Sequence, residues 1–189
     1  MFRELLVRRV SGFCQLSCDQ LDQLESHYEL MLRWNKVINL TRIVREAEVV
    51  DLHYAESLFL GCQLPPGALS IADLGSGAGF PGYPVAVLRP ECMVLLIESH
   101  QRKAAFLKEV SRPLHNVRVL ASRGEDVSSK FDWIISRAVN FTDLQQVAFR
   151  LAPNLALLCG SRVEAPSKTV AVPWAENRNV VTVSHGTAT

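Results

Sequence analysis

The chain lacks any apolar run long enough to cross a bilayer. Its longest, such as residues 93–97, have the length of a strand, whereas a spanning helix needs about 20 apolar residues. The opening Met1-Phe2-Arg3-Glu4 brings an acid early and leads into no long apolar stretch, so no signal peptide is expected. A disulfide framework is missing as well. The five cysteines, Cys14, Cys18, Cys62, Cys92 and Cys159, are scattered and odd in number, which argues for reduced thiols in a cytoplasmic protein. Cys14 and Cys18 are close together, but no second pair follows them, so no metal site is expected. Nor does one sign of charge dominate: 20 Lys and Arg against 19 Asp and Glu leave a net charge of +1. That is not the balance of a protein that grips long nucleic acid, although an enzyme touching a few nucleotides needs only a local basic patch. Repeats and low-complexity segments are also absent.

What is present is a globular composition, 48% hydrophobic over 189 residues, enough for one α/β domain with a small helical extension. Residues 17–36 read as the first helix. Ser17 is its N-cap, Gln20 completes a capping box, and Leu16 and Leu21 form a hydrophobic staple. Leu21, Leu24, Tyr28 and Met31 make its apolar stripe. A second helix is expected over 46–60, burying Val49, Leu52 and Leu58, and Gln63-Leu64-Pro65-Pro66-Gly67 closes the region. From Leu69 onward the pattern changes. Strands are expected at 69–74, 93–98, 117–121, 133–136 and 155–159, with helices at 84–88, 102–111 and 143–151 between them. Such alternation predicts a doubly wound, mostly parallel sheet. The tail reads as two β-rich stretches, 169–172 and 180–183. The expected organisation is an N-terminal helical cap, 1–66, on an α/β domain, 67–189, together one compact unit.

The segment Ile71-Ala72-Asp73-Leu74-Gly75-Ser76-Gly77-Ala78-Gly79-Phe80-Pro81-Gly82 runs from a strand into a loop with four glycines and then into a helix. Glycines are needed where backbone takes a positive φ or approaches a ligand, and the carboxyl end of a first parallel strand is where doubly wound sheets bind ligands. Two cofactor classes compete. Gly77, Gly79 and Gly82 satisfy the dinucleotide spacing G-x-G-x-x-G, with Glu98 downstream. The other frame, Asp73-x-Gly75-x-Gly77-x-Gly79, puts an acid before the glycines, where it would repel a pyrophosphate and favour the ammonium and sulfonium of S-adenosylmethionine. Glu98 would then accept hydrogen bonds from the ribose hydroxyls, and Pro81 removes an N–H that a dinucleotide helix would offer. The second frame, a Rossmann-like methyl-donor site, is favoured.

From Trp34 to Ala138 the chain resembles the bacterial 16S (small-subunit) ribosomal RNA guanine-N7 methyltransferases, also called glucose-inhibited division protein B. The matching pieces are Trp34-Asn35 with Asn39-Leu40-Thr41; His53-Tyr54-Ala55-Glu56-Ser57-Leu58; the glycine loop with Phe80-Pro81-Gly82; Arg102-Lys103 with Phe106-Leu107; Ser122-Arg123-Gly124-Glu125; and Phe131-Asp132 with Ser136-Arg137-Ala138. The resemblance implies a class I methyltransferase fold, S-adenosylmethionine as cofactor, and 16S ribosomal RNA or the small ribosomal subunit as partner. Oligomeric state is open, with a monomer favoured. By the same resemblance Asp73, Gly75, Gly77, Gly79, Phe80, Glu98, Gly124, Glu125 and Arg137 bind the cofactor, with Gly124 and Glu125 at the adenine. Arg137 and Arg123 are the positioning candidates, facing the incoming base or RNA. Each has a plainer reading: Arg123 as a solvated loop charge, Phe80 as core, His53 as a packing residue and Trp34 as a helix anchor.

Methylases of exocyclic amines carry an Asn/Asp-Pro-Pro-aromatic segment where this chain has Ser136-Arg137-Ala138-Val139, and pyrimidine-C5 methylases need a cysteine nucleophile, whereas the nearest here, Cys159, is expected buried in mid-strand. Guanine N7 needs neither device, because its lone pair carries no proton. A non-catalytic donor binder, or a paralogue acting on a small molecule or protein, would look similar. The chain departs from the family after the fifth strand, where Cys159-Gly160-Ser161 replaces a Lys-Gly pair; Arg162 or Lys168 could supply the charge. Arg33, Lys36, Arg42 and Arg45 could form an RNA-facing patch with Arg123, or a solvated helix end paired with Glu29 and Glu46.

Overall fold

The computed structural model describes residues 1–137, 140–160 and 167–184. Strands β1 (Ser70–Leu74), β2 (Met93–Ile97), β3 (Val117–Leu120), β4 (Trp133–Arg137), β5 (Asn154–Cys159), β6 (Ser167–Ala171) and β7 (Asn179–Ser184) form one sheet of order β3-β2-β1-β4-β5-β7-β6. The first five are parallel, while β7 runs antiparallel to both β5 and β6. This is the expected doubly wound, mostly parallel sheet, and the order reverses between β1 and β4, the switch point at which such sheets bind ligands. Because Asn179 pairs with Cys159 and with Ala171, the β6–β7 turn also sits at the carboxyl edge of the parallel strands.

Successive strand residues face opposite sides of the sheet. Ile71 and Ile135 join one buried cluster, Ala72 and Ile134 the other. Helix α7 (Phe141–Leu151), capped by Asn140, covers the second with Leu144, Ala148 and Leu151. Helices α5 (Gly82–Leu88) and α6 (Gln101–Val110) cover the first, together with the N-terminal helices.

The cap begins with a helix that sequence reading did not place. α1 (Phe2–Val10) buries Phe2, Leu6 and Val10, one residue per turn, amid charged neighbours that hide the stripe. Helix α2 (Cys18–Asn35) has the Ser17–Gln20 capping box and buries Leu21, Leu24, Tyr28 and Met31. Past its end Asn35 ties the turn: its Oδ1 accepts from the amides of Leu40 (2.8 Å) and Thr41 (2.9 Å) and its Nδ2 donates to the Thr41 carbonyl (3.0 Å). The expected helix over 46–60 is longer and irregular. It comprises α3 (Glu46–Val49), a π-helical segment (Val50–Ala55) and α4 (Glu56–Gln63). Val49 and Leu58 are buried, but Leu52 is only half-buried, because the π segment shifts the register. No helix among the described residues is long and apolar enough to cross a membrane.

Candidate functional site

Gly75, Gly77 and Gly79 take φ of 76°, 58° and 94°, values that disfavour any residue with a Cβ. The loop they form is tied down from four directions. The amides of Gly75 and Ser76 donate to the Ile97 carbonyl (both 3.0 Å), and the Gly77 amide donates to Glu98 Oε2 (2.9 Å). The Ala78 carbonyl meets His27 Nε2 (3.0 Å) from the cap, and Ser136 Oγ on β4 donates to the Leu74 carbonyl (2.7 Å). A carbonyl can only accept, so His27 carries its proton on Nε2, and its Nδ1 accepts from the Tyr54 hydroxyl (2.5 Å). Sequence reading gave His27 no role, since a lone histidine in a helix offers no motif.

Asp73 lies under the loop and is fully buried. Its Oδ2 accepts from the Gly82 amide at the start of α5 (2.9 Å), while Oδ1 has no partner. Burial pushes its pKa up to about 7 against the lowering effect of the Gly82 amide, Ser76 and Arg137. Gly82 is irreplaceable on space alone: a Cβ there would lie 2.4 Å from Leu96 Cδ2 and 2.6 Å from Asp73 Oδ2.

Above the carboxyl ends of β1, β2 and β3 is a cavity of about 400 Å³. It is walled by Leu74 and Gly75, by Ile97 and Ser99, by Ser122 to Glu125, and by Asp143, Leu144 and Val147 of α7. Of the residues singled out from sequence, Gly75, Arg123, Gly124 and Glu125 line it together. Glu98 stands beside it, mostly buried, its Oε1 taking the His100 amide (2.7 Å) and its Oε2 the Gly77 amide. A Cβ on Gly124 would approach Leu74 (3.1 Å) and Val147 (3.2 Å) on the cavity wall. The turn carrying Gly124 is held by a residue that sequence reading missed: Arg150 at the end of α7 donates to the carbonyls of Gly124 (2.9 Å), Glu125 (2.9 Å) and Val127 (2.6 Å).

Phe80 and Arg137 are not on this wall. Phe80 is buried, its ring stacked on His53 (4.6 Å) and set edge-on to Tyr54 and His27. The Arg137 guanidinium lies over Phe80 (5.4 Å), and its Nη1 donates to the Leu52 carbonyl (2.8 Å) and to His53 Nδ1 (2.5 Å). An arginine only donates, so His53 is protonated on Nε2, which donates to Thr41 Oγ1 (2.8 Å). Burial, then Arg137, brings the His53 pKa down to about 3, so the ring is neutral. Burial lowers Arg137 to about 10, which leaves it charged. Arg137 lines a second cavity, of about 540 Å³, between the π segment and the β6–β7 turn.

Two expectations need correction. Cys159 is half-buried at the end of β5, not buried in mid-strand, because the strand stops there. Arg45 pairs with Glu48 one helical turn on, not with Glu29 or Glu46. Arg33, Lys36, Arg42 and Arg123 are exposed, and Trp34 packs edge-on against Phe106 (5.8 Å). Lys168 is exposed on the edge strand β6, three residues back from the turn; Arg162, Ser161, Ala138 and Val139 lie outside the described residues. No cluster of potential metal ligands occurs among the described residues.

A family model described as "GidB: rRNA small subunit methyltransferase G" matches residues 20–159. The chain belongs to this family. It is similar to the ribosomal RNA small subunit methyltransferase G of Lachnoclostridium phytofermentans (38% identity, covering 69% of this chain and 59% of that protein). The Nitrosospira multiformis relative of the same name is 44% identical over 65% of this chain and 56% of its own length. The Aquifex aeolicus one is 35% identical over 80% of both. The chain thus spans less than two thirds of the length of the first two of these relatives. Among solved structures, a methyltransferase from Pyrococcus furiosus shares the fold (TM-score 0.59, 14% identity, covering 86% of this chain and 98% of that one). The match to the GidB family takes in the cap from α2 onward and ends at Cys159, the last residue of β5.

Proposed function

We propose that this chain binds S-adenosylmethionine over the carboxyl ends of β1–β3 and methylates N7 of a guanine in 16S ribosomal RNA, acting in the cytoplasm. The observation that carries the choice of cofactor is the engagement of the Gly82 amide by Asp73 Oδ2. A pyrophosphate at the start of α5 would need that amide and would face that carboxylate. A nucleoside with a cationic tail needs neither. The remaining groups suit it: each oxygen of Glu98 has accepted one backbone amide and keeps a further lone pair for a ribose hydroxyl, and the cavity walled by Gly75 and Gly124 falls in the range of small-ligand sites.

When bound, the donor supplies an electrophilic methyl group on a sulfonium. The protein's own part is positioning. Gly75 lets the loop approach without a side chain, His27 and Ser136 hold the loop on the cap and on β4, and Arg137 is fixed at the acceptor side by Leu52 and His53. N7 has no proton to lose, so no general base is required, and holding the two reactants in line can lower the barrier by about 7–11 kcal/mol.

Calorimetric titration with S-adenosylmethionine and, in parallel, NAD tests the donor. Micromolar binding of the methyl donor, abolished by Gly75→Arg and weakened by Glu98→Ala, is expected. Incubation with small subunits from cells lacking the enzyme, followed by chemical cleavage at 7-methylguanine, tests the acceptor. Binding of NAD instead, or a folded chain that takes up no methyl donor, would refute the reading.

A further inference from the structure

The second cavity shares no lining residue with the first. It opens at the same carboxyl edge, past β4 on the other side of the switch point, and its floor includes Arg137. One wall is the π segment with Asp51, Leu52 and His53; the other is the β6–β7 turn, with Trp174, Glu176 and Arg178. That turn is strapped to the cap. Trp174 stacks on Phe13 (5.3 Å) and its Nε1 donates to the Asp51 carbonyl (3.4 Å), and Arg178 grips the buried Glu56 through Nε (2.9 Å) and Nη2 (2.5 Å). At about 540 Å³ the space is ample for a nucleotide base.

The charges lining it are mostly committed. Asp51 is bound bidentately by Arg9, Arg178 by Glu56, and Glu48 by Arg45. Glu176 makes no ion pair with another described residue, and the neighbouring Asn177, at φ 55°, shapes the turn that presents it. A carboxylate only accepts hydrogen bonds. Guanine presents two donors on its Watson–Crick edge, N1–H and N2–H, whereas adenine presents there the acceptor N1 beside a single donor.

We propose that this cavity receives the acceptor guanine and that Glu176 takes the hydrogen bonds of its N1–H and N2–H. The proposal rests on the methyltransferase reading above and names the acceptor pocket of the same site. In the reaction the N7 lone pair forms the new bond to the methyl carbon as the carbon–sulfur bond breaks. That bond's electron pair stays on sulfur, leaving a neutral thioether and a purine that has become cationic, and no proton is released. Positive charge therefore grows on the purine, and N1–H becomes a stronger donor as it does. A carboxylate on that edge binds the transition state better than the ground state, which is the condition for raising kcat and not merely affinity. The same pairing favours guanine over adenine, whose N1 is an acceptor, most strongly as the charge develops.

Glu176 is exposed, so Glu176→Gln keeps the fold, and the test is read on three quantities: S-adenosylmethionine affinity, kcat and KM on small subunits, and binding of guanosine monophosphate against 7-methylguanosine monophosphate. Donor affinity stays unchanged, kcat falls by about tenfold to hundredfold with little change in KM, and Glu176→Asp recovers part of the loss. Wild type prefers the methylated nucleotide, and the variant loses that preference. A variant with kcat within about twofold of wild type, or a wild type that does not distinguish the two nucleotides, would overturn the proposal. A wild type that binds no methyl donor would instead sink the underlying reading, and the nucleotide titration would still decide the role of Glu176.

Discussion

His27 gives the sharpest test of how the cap holds the glycine loop. It is fully buried between the Tyr54 hydroxyl and the Ala78 carbonyl, and burial lowers its pKa from 6.5 to about 3. The native state therefore takes up no proton on this ring above about pH 3, while the unfolded chain begins to do so near pH 6.5. Stability that is fully present above the unfolded value is lost as pH falls toward the folded one. At pH 5 the unfolded state has gained about 1.5 pH units of protonation, worth about 2 kcal/mol. In His27→Gln the side-chain amide can still donate to Ala78, but it cannot reach both partners in the same geometry and does not titrate. At pH 7.5 the variant is expected to be about 1–2 kcal/mol less stable than wild type, the cost of one lost buried hydrogen bond. At pH 5 that gap closes or reverses. Urea unfolding at the two pH values measures it, and His53, shifted in the same direction, largely cancels because both proteins retain it and His27 is only a minor cause of its shift. A gap that stays constant within about 0.5 kcal/mol would refute the claim that His27 is locked neutral in the fold.

Two further tests follow from buried ionisable groups. Asp73 has its pKa raised to about 7, so the unfolded chain gives up this proton first and stability falls as pH rises from about 4 to 7. Wild type should lose about 2–3 kcal/mol between pH 5 and pH 8 that Asp73→Asn does not lose, measured by denaturation at both values. Arg178→Met would strand the carboxylate of Glu56, which has no exposed surface, at a cost of about 3–5 kcal/mol. Adding Glu56→Gln should restore much of the melting temperature, and a double variant no better than the single one would count against a buried ion pair.

The sheet was legible because its signals are local. Each parallel strand is short and mostly apolar, and all five fall within a residue or two of expectation. The capping box of α2 is equally local, Ser17 and Gln20 being three residues apart. α1 was not legible: three buried side chains spaced four apart among arginines and a glutamate give too weak a stripe. The π segment was also hidden, since an extra residue in a helical turn leaves no mark on composition. At the candidate site the glycine loop was visible because positive φ demands glycine, and Gly124 because it sits in a family motif. His27 and Arg150 were not visible, since each acts on a backbone carbonyl distant in sequence, and a carbonyl is present at every residue. Asp73 was picked out from its place before the glycines, but sequence alone does not tell a ligand-facing acid from one that braces the loop from beneath.

The cap and the sheet meet through contacts that join separate motifs. His53 and Leu52 hold Arg137 on β4, His53 also stacks on Phe80 in the glycine loop, and Thr41, tied down by Asn35, fixes the proton of His53. The Trp34-Asn35, Asn39-Leu40-Thr41, His53 and Ser136-Arg137 pieces are therefore parts of one connected set of contacts leading from the cap to the carboxyl end of β4. All of it lies within the stretch matched by the family model. The β6–β7 turn does not: it comes after Cys159, yet it supplies Trp174, Glu176 and Arg178 to the second cavity. On the reading proposed here, donor binding is built from what this chain shares with its family, and the choice of acceptor depends on a wall built from outside that match. Substitutions in the turn should therefore alter which base is methylated, or how fast, while leaving donor affinity where it was.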